Sequence, residues 1–503
     1  MALFLSAFFL PQSVFSQDNL VRLVFAEDVV SSVEFPNTTV AKGHVEFNHA
    51  GSRLFCDSAL FFQDKDIVHA YSNVQINQGD TVNLFCDSLI FDGKTNISKL
   101  YSNVRFRDNE YLMVTDSMEY DGNRSVGAYK NHAVITSRND DLRLTSIKGY
   151  YYSNSKTFFF KDSVHIKDPE YELFSDTLEF RTNTSDAHFH GPTTILFDSS
   201  NVQCKKGIYF SKKDLVQLWN GATINEPGRR FYADSLIYNQ KDDFGEGFCF
   251  VSLYDTTEQV HFLADYMLKK PKNTEIILKN NARVWQYDEK DSLYLSGDTI
   301  SYYTDTLTNN KLSIVENNVN VIKGELYIVC DSAYFNEQDS ILKLHKEPIM
   351  WNDRTQLFAD SMFTTFYDDE FHDMKMYHNA MIITEHENDS VHYDQLKGKF
   401  MTALLDSGKV KSVHIHQNAQ TMYYPTETET DTAGVETKRL SGLNQIDCNE
   451  IIVRFLKGEV QEVNFMDQPS GKMLPMNQIP EKDLFYKGFR WEINRKPDRP
   501  FPE

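Results

Sequence analysis

Eight aspartates, each followed by Ser or Thr, recur at Asp57, Asp87, Asp116, Asp176, Asp234, Asp298, Asp331 and Asp360. Successive gaps are 30, 29, 60, 58, 64, 33 and 29 residues. Carboxylates perform general acid–base chemistry when one or two of them are set apart from the rest. A row spread evenly along a chain lacks that special pair, so the spacing points to a structural task. Two H-x-H pairs, His188/His190 and His414/His416, would each point to one side of a strand and could bind a metal. The sequence offers neither pair a third ligand, and solvated histidines are the plainer reading. There is no phosphate-binding Gly loop, HExxH, paired CxxC or nucleophile elbow. No catalytic residue, metal site or cofactor is therefore expected.

The elements that carry these aspartates repeat with them. Copies read LFCDSALF at 54–61, LFSDTLEF at 173–180 and FYADSLIY at 231–238, and VNLFCDSLIF at 82–91 is the clearest. A period of about thirty residues marks a repeat architecture. The doubled gaps hide degenerate copies, such as LTSIKGY at 144–150 and CKKGIY at 204–209. Each unit has three short alternating apolar pieces, as in NVQI, VNLFCDSLIF and ISKLY, which is the strand signature. Asp92-Gly93 and Asp121-Gly122 between pieces predict hairpins and antiparallel pairing.

Within the central piece the alternation slips. Leu84 and Cys86 share one face, whereas Leu89 and Phe91 would fall on the other if the strand ran straight. Such a change of phase needs a bulge or corner. Asp-Ser/Thr sits at the break, where the carboxylate can accept N–H groups that a bend frees. The eight aspartates are thus structural corner residues that let both halves of a strand face one interior. The Asp-Ser/Thr-aliphatic triplet also resembles a short bacterial O-glycosylation signal, although hydroxyls tied into corners would be poorly accessible.

Three apolar ladders follow from the corner. Leu54, Leu84, Met113, Leu173, Phe231, Leu295, Ile328 and Leu357 lie three residues before the Asp. Leu89, Met118, Leu178, Leu236, Ile300 and Met362 lie two after it, and Phe61, Phe91, Tyr120, Phe180, Tyr238, Tyr302 and Phe335 four after. Two facing sheets with such ladders either close into a dry core or leave a trough suited to acyl chains. Periodicity is the same for both.

The 503 residues carry 72 acids against 51 bases, a formal charge of −21 that repels nucleic acid and anionic membranes at long range. No apolar run reaches the roughly 18 residues of a membrane helix, so an integral membrane protein is not expected. Residues 1–16 read as a secretory signal, with Val14 and Ser16 placed for a cut before Gln17. The repeat array spans 17–466, with a polar loop at 424–438, and a Pro-rich tail follows at 467–503. That tail cannot continue a sheet, and its Leu484, Phe485, Phe489 and Trp491 could fold back as a plug on the open end. Cys56, Cys86 and Cys330 take the slot filled by Ala233 and Ala359 in other copies, so they read as small buried residues, with a Cys56–Cys86 bridge as the alternative.

The recurring unit, NVQI followed by VNLFCDSLIF and a return to NV, resembles the repeat of the OstA-like proteins, the LptA family of lipopolysaccharide transport. The likeness runs over about residues 20–465. It implies an all-β, elongated open β-jelly-roll of two facing antiparallel sheets built from ~30-residue repeats. It further implies a non-enzymatic periplasmic bridge whose trough carries the acyl chains of lipopolysaccharide toward the outer membrane. The implied partners are lipopolysaccharide and other transport proteins joined by edge-strand pairing. The alternative from another class is a structural or adhesive surface protein with a dry core.

Overall fold

The computed structural model describes residues 20–31, 36–78, 82–271, 274–287, 292–367, 370–387, 389–406, 409–430, 436–456 and 459–499. The expected secretory signal, 1–16, lies outside them. The chain is all-β, and among the described residues the helical pieces are single 3-10 turns such as Ser211–Lys213. It divides into two compact units, Met1–Asp214 and Leu215–Glu503.

In the first unit strands follow one another antiparallel in chain order. Ile67–Gln78 pairs with Val82–Asp92, which pairs with Ile97–Arg107, which pairs with Tyr111–Asp121. The Asp-Gly turns are closed by the Asp itself: Oδ1 of Asp92 accepts N–H from Lys94 (3.0 Å) and Thr95 (3.3 Å), and Asp121 repeats this with Asn123 and Arg124.

Every long strand is bent in the middle, and the bend lies beside the expected place. Pairing between Ile67–Gln78 and Val82–Asp92 runs through Tyr71↔Ser88, then resumes at Val74↔Cys86. Ser72 and Asn73 therefore oppose Asp87 alone, a bulge of two residues against one. Both bulge residues are left-handed, with φ of 61° and 46°. The same paired signature recurs at Ser102/Asn103, Asp162/Ser163, Asn220/Gly221, Asn280/Asn281, Asn317/Asn318 and His378/Asn379. The left-handed backbone strain is thus carried by the strand next to the Asp-Ser/Thr pair, not by the pair.

Asn is favoured at these sites because the left-handed region costs most residues about 1–2 kcal/mol, and Asn tolerates it better than most. Its amide also finds the acid. Asn73 donates to Asp57 (2.7 Å), Asn103 to Asp87 (2.6 Å), Asn318 to Asp298 (3.1 Å) and Asn379 to Asp360 (3.1 Å). Four of the eight repeated aspartates thus receive a side-chain amide from the bulge rather than the freed backbone N–H groups of the sequence reading. Seven of the eight are solvent-exposed and Asp331, which accepts from Lys346 Nζ at 2.7 Å, is half-buried.

The residue just before each Asp points the other way, into the inner angle of the bend. Cys56, Cys86, Ala233, Cys330 and Ala359 are all buried there, because little volume remains where two halves of a strand converge. Burial pushes the Cys56 thiol up to about 11 and that of Cys86 to about 12, and both are free, so the alternative bridge between them is not formed. In places the strand breaks in two at the bend. Arg143–Ser146 and Lys148–Tyr152 flank Ile147, and they pair separately with Ala133–Ser137 and Val126–Tyr129.

The second unit continues the pattern from Leu215–Glu226 to Gly442–Leu456 and Glu459–Met466. Two segments differ from the sequence reading. Within the polar insert, Thr426–Thr430 pairs with Glu436–Leu440 as a separate ribbon, with 431–435 outside the described residues. In the tail, Ser470–Pro475 adds a strand to Gly442–Asp447, because Pro469 and Pro475 bracket that strand instead of interrupting it.

The bulge makes a direct prediction. Asn103→Gly is expected to leave stability within about 0.5 kcal/mol, whereas Asn103→Val is expected to lower it by about 1–3 kcal/mol, since a β-branched residue resists positive φ and the bond to Asp87 is lost. Urea denaturation followed by circular dichroism measures both.

Candidate functional site

The bend folds each strand so that the apolar sides of its two halves face each other. Rings from opposite halves meet across the interior of the first unit: Phe47 with Phe61 (5.5 Å), Phe106 with Tyr151 (5.2 Å), Tyr111 with Phe158 (5.8 Å) and Tyr171 with Tyr209 (4.9 Å). Edge-to-face pairs of this kind add about 0.5–1.5 kcal/mol each beyond area burial.

Of the 21 ladder residues, the structure buries 18. Leu54, Phe61, Leu84, Leu89, Phe91, Met113, Met118, Tyr120, Leu173, Leu178 and Phe180 are packed inside the first unit, and Phe231, Leu236, Tyr238, Ile300, Ile328, Leu357 and Met362 inside the second. Side chains fill most of the angle between the halves in the first unit and leave a small cavity of about 30 Å³ lined by Phe47, Leu54, Ile76, Phe91 and Tyr120. The three exceptions, Leu295, Tyr302 and Phe335, are half-buried. They fall in one stretch of the second unit, where their neighbours Phe262, Ile276, Val321 and Leu342 are half-buried as well. Leu295 pairs with Val284 and Val321, and Tyr302 with Ile276, so these residues share the inner face of adjacent strands. Phe262 and Tyr302 come from opposite halves and meet edge to face at 5.8 Å, as the rings of the first unit do, so the halves stay in contact here while the ladder is partly exposed.

The polar groups nearby are mutually satisfied. At the start of the second unit Tyr238 donates to Glu226, buried Lys269 is paired with Asp243, and Arg229 Nε lies 3.2 Å from Asp255. These paired groups, Asp255 apart, line a small cavity with Ile224, Phe231 and Leu253 and neutralise its charges, while the half-exposed ladder at Leu295, Tyr302 and Phe335 offers apolar surface suited to a hydrocarbon chain and not to a charged reactant.

Residues 24–176 match the model of the family described as OstA-like protein. That stretch of the chain is OstA-like. The bulge pairs that shape it recur beyond residue 176, at Asn220/Gly221 through Gln417/Asn418, so the same local geometry continues past the matched residues. Curated proteins yield no match. A solved structure, of a post-proline cleaving enzyme from Rickettsia typhi, aligns at 8 % identity with a TM-score of 0.11, covering 75 % of this chain and 57 % of that one. This chain thus spans little more than half of that enzyme's length, and a likeness so low carries no argument.

Beyond the OstA-like stretch, the C-terminal tail is tied to the second unit in a way no motif announced. Gln356 and Gln395 are fully buried. Nε2 of Gln356 donates to the carbonyl of Arg490 (2.8 Å) while its Oε1 accepts N–H from Glu492 (2.8 Å). Gln395 does the same with the Leu484 carbonyl (2.8 Å) and the Tyr486 N–H (3.0 Å). Each glutamine amide stands in for a strand residue, satisfying one tail donor and one tail acceptor. Phe489 and Trp491 pack on Tyr393 at 5.3 Å, the Arg490 guanidinium lies 4.5 Å from the Phe358 ring centre, and Lys496 lies over Tyr327.

Gln356 alternates with Leu357, a ladder residue, so it belongs to the opposite face of its strand. The tail is therefore a strap on the outer face of the second unit's strands, not a plug between the halves. A buried glutamine in a strand is the signal that could have found it, because such an amide needs partners from another segment.

Replacing Gln356 and Gln395 together by Leu is expected to free the tail by leaving four of its backbone groups without partners. Trypsin should then cut after Lys487 or Arg490 at least tenfold faster, read by mass spectrometry, with the remaining chain still folded.

Proposed function

We propose that this chain is a non-enzymatic, periplasmic lipid-binding bridge that carries the acyl chains of lipopolysaccharide between its facing half-sheets toward the outer membrane. The observation that carries the reading is the set of bent strands whose inner apolar ladders face each other and are half-exposed at Leu295, Tyr302 and Phe335. The OstA-like character of residues 24–176 supports it, since that family is a transport-type one. An acyl chain laid along the ladders gains about 0.8 kcal/mol for each CH2 removed from water. The aspartates, being spread along the outer side, have no role in bond making.

The first unit also presents an edge. Asp28–Ser31 pairs with Thr38–His49 on one side only among the described residues, and Val24, Phe25, Val29 and Val30 are more than half exposed. An open edge with exposed apolar residues is a template for a partner's strand. Other transport proteins are the partners proposed for it.

The burial of every ladder residue of the first unit favours a second reading, a structural or adhesive β-repeat protein with a dry core. The two separate by photo-crosslinking in cells, with p-benzoylphenylalanine at Tyr302, Phe335 and Phe180. The bridge reading expects lipopolysaccharide adducts at Tyr302 and Phe335, and adducts at Phe180 only if the halves of the first unit part during transport. A folded, exported chain with no adduct at any of the three positions leaves the structural reading in place.

A further inference from the structure

We propose that His414, His416 and Glu450 form a binding site for a divalent transition metal ion of the zinc class. Two local facts bring them together. His414 and His416 are alternate residues of the strand Lys409–Tyr423, so both imidazoles leave the same face, while Val413 and Ile415 between and beside them are buried on the other. The neighbouring strand Gly442–Leu456 then places Glu450 directly opposite His416 in register. Glu450 lies 34 residues beyond His416, which is why the sequence offers no third ligand.

The donor atoms all lie within 4.8 Å of one another. Nε2 of His414 is 3.4 Å from Oε2 of Glu450, Nδ1 of His416 is 3.7 Å from Oε1, and the two ring centres are 3.5 Å apart. A tetrahedral zinc ion, with bonds of about 2.0–2.1 Å, asks for ligand atoms about 3.4 Å from each other. The separations are close to that and long for direct hydrogen bonds. Nε2 of His414 is buried without a hydrogen-bond partner, an orphan it shares with Nε2 of His188, so it is the spacing of the three donors around a free carboxylate that singles this cluster out.

The surroundings leave the cluster free to take a cation. Thr402 and Phe400 face the two histidines from one neighbouring strand, and Asn464 and Met466 face Ile452 and Glu450 from the other. The Arg454 guanidinium, on the strand of Glu450, is engaged by Glu462 at 2.7 Å, and the Lys399 ammonium lies over the Phe400 ring at 5.2 Å. Two neutral imidazoles and one carboxylate leave at least one coordination position open to water.

The first H-x-H pair makes an internal control. Glu179 stands opposite His188, and His190 Nε2 lies 3.5 Å from Glu179 Oε2, so the same three residue types meet. There, however, Arg181 Nε donates to Glu179 Oε1 at 2.8 Å. That positive charge occupies the carboxylate and repels a second cation.

Isothermal titration of Zn2+ into the full, untagged chain tests the assignment, with Co2+ absorption as a second probe. One equivalent bound at micromolar affinity or tighter is expected, with a tetrahedral Co2+ spectrum. The double variant His414→Ala/His416→Ala should lose that equivalent, and Glu450→Gln should weaken it at least tenfold. His188→Ala/His190→Ala should leave it unchanged. All these side chains are on the outer face, and circular dichroism checks that each variant is folded. No binding by the unaltered chain, or an equivalent that survives the 414/416 double variant, overturns the site.

Discussion

The constraint on which everything else rests is the bulge of two left-handed residues against one at the middle of each strand. A straight strand of eleven or twelve residues would send its two apolar halves to opposite faces. In the Asp-bearing strand the buried residues change parity across the Asp, from Leu84 and Cys86 to Leu89 and Phe91, and the two positive-φ residues of the next strand, Ser72 and Asn73, accommodate that slip, so both halves are apolar on the side that becomes the inside. The cost of positive φ is met in part by choosing Asn or Gly, and the Asn amides bind the aspartate on the adjacent strand. Asp and Asn recur together because each needs the other. The acidity of the chain is partly a by-product of this, since most of the repeated aspartates sit on the outer side of the bend.

The bend has a consequence for the interior. Where two halves converge, only a small residue fits the inner angle, and where they diverge, large rings meet from opposite sides. This gradient, from Cys and Ala at the corner to Phe and Tyr farther out, is written into every copy of the repeat. Whether the ladder is covered decides between a filled core and an opening. In the first unit they touch, through Phe47, Phe106, Phe158 and Tyr209. In the second unit Phe262 and Tyr302 touch as well, although the ladder around them, at Leu295 and Phe335, is half-exposed.

The tail adds a covering to the outer face of the second unit's strands. Its backbone is held by two fully buried glutamines, a dependence unlike the bond-by-bond pairing of strands, because a few side-chain amides govern a long segment. A segment fixed at so few points can be released without unfolding the sheet beneath it. This distinguishes the strap from the strand Ser470–Pro475, which is an ordinary member of the ladder.

Local pattern alone determined the strands, their hairpin turns, the approximate place of each corner and the inward face of the ladders, because alternation and turn chemistry act over a few residues. It misplaced the bulge by one strand, since Asp87 and Asn103 are joined only when the strands lie side by side. It left the glutamine-held strap unseen, because Gln356 and the residues it binds are more than 130 positions apart. It also gave His414 and His416 without Glu450, and it could not separate the buried ladder of the first unit from the half-exposed stretch at Leu295, Tyr302 and Phe335. Those four matters are distances between segments, and a repeating sequence carries the same letters whether its ladder is buried or half-exposed. Only the tertiary structure sets that difference, through the summed twist and bend of many strands.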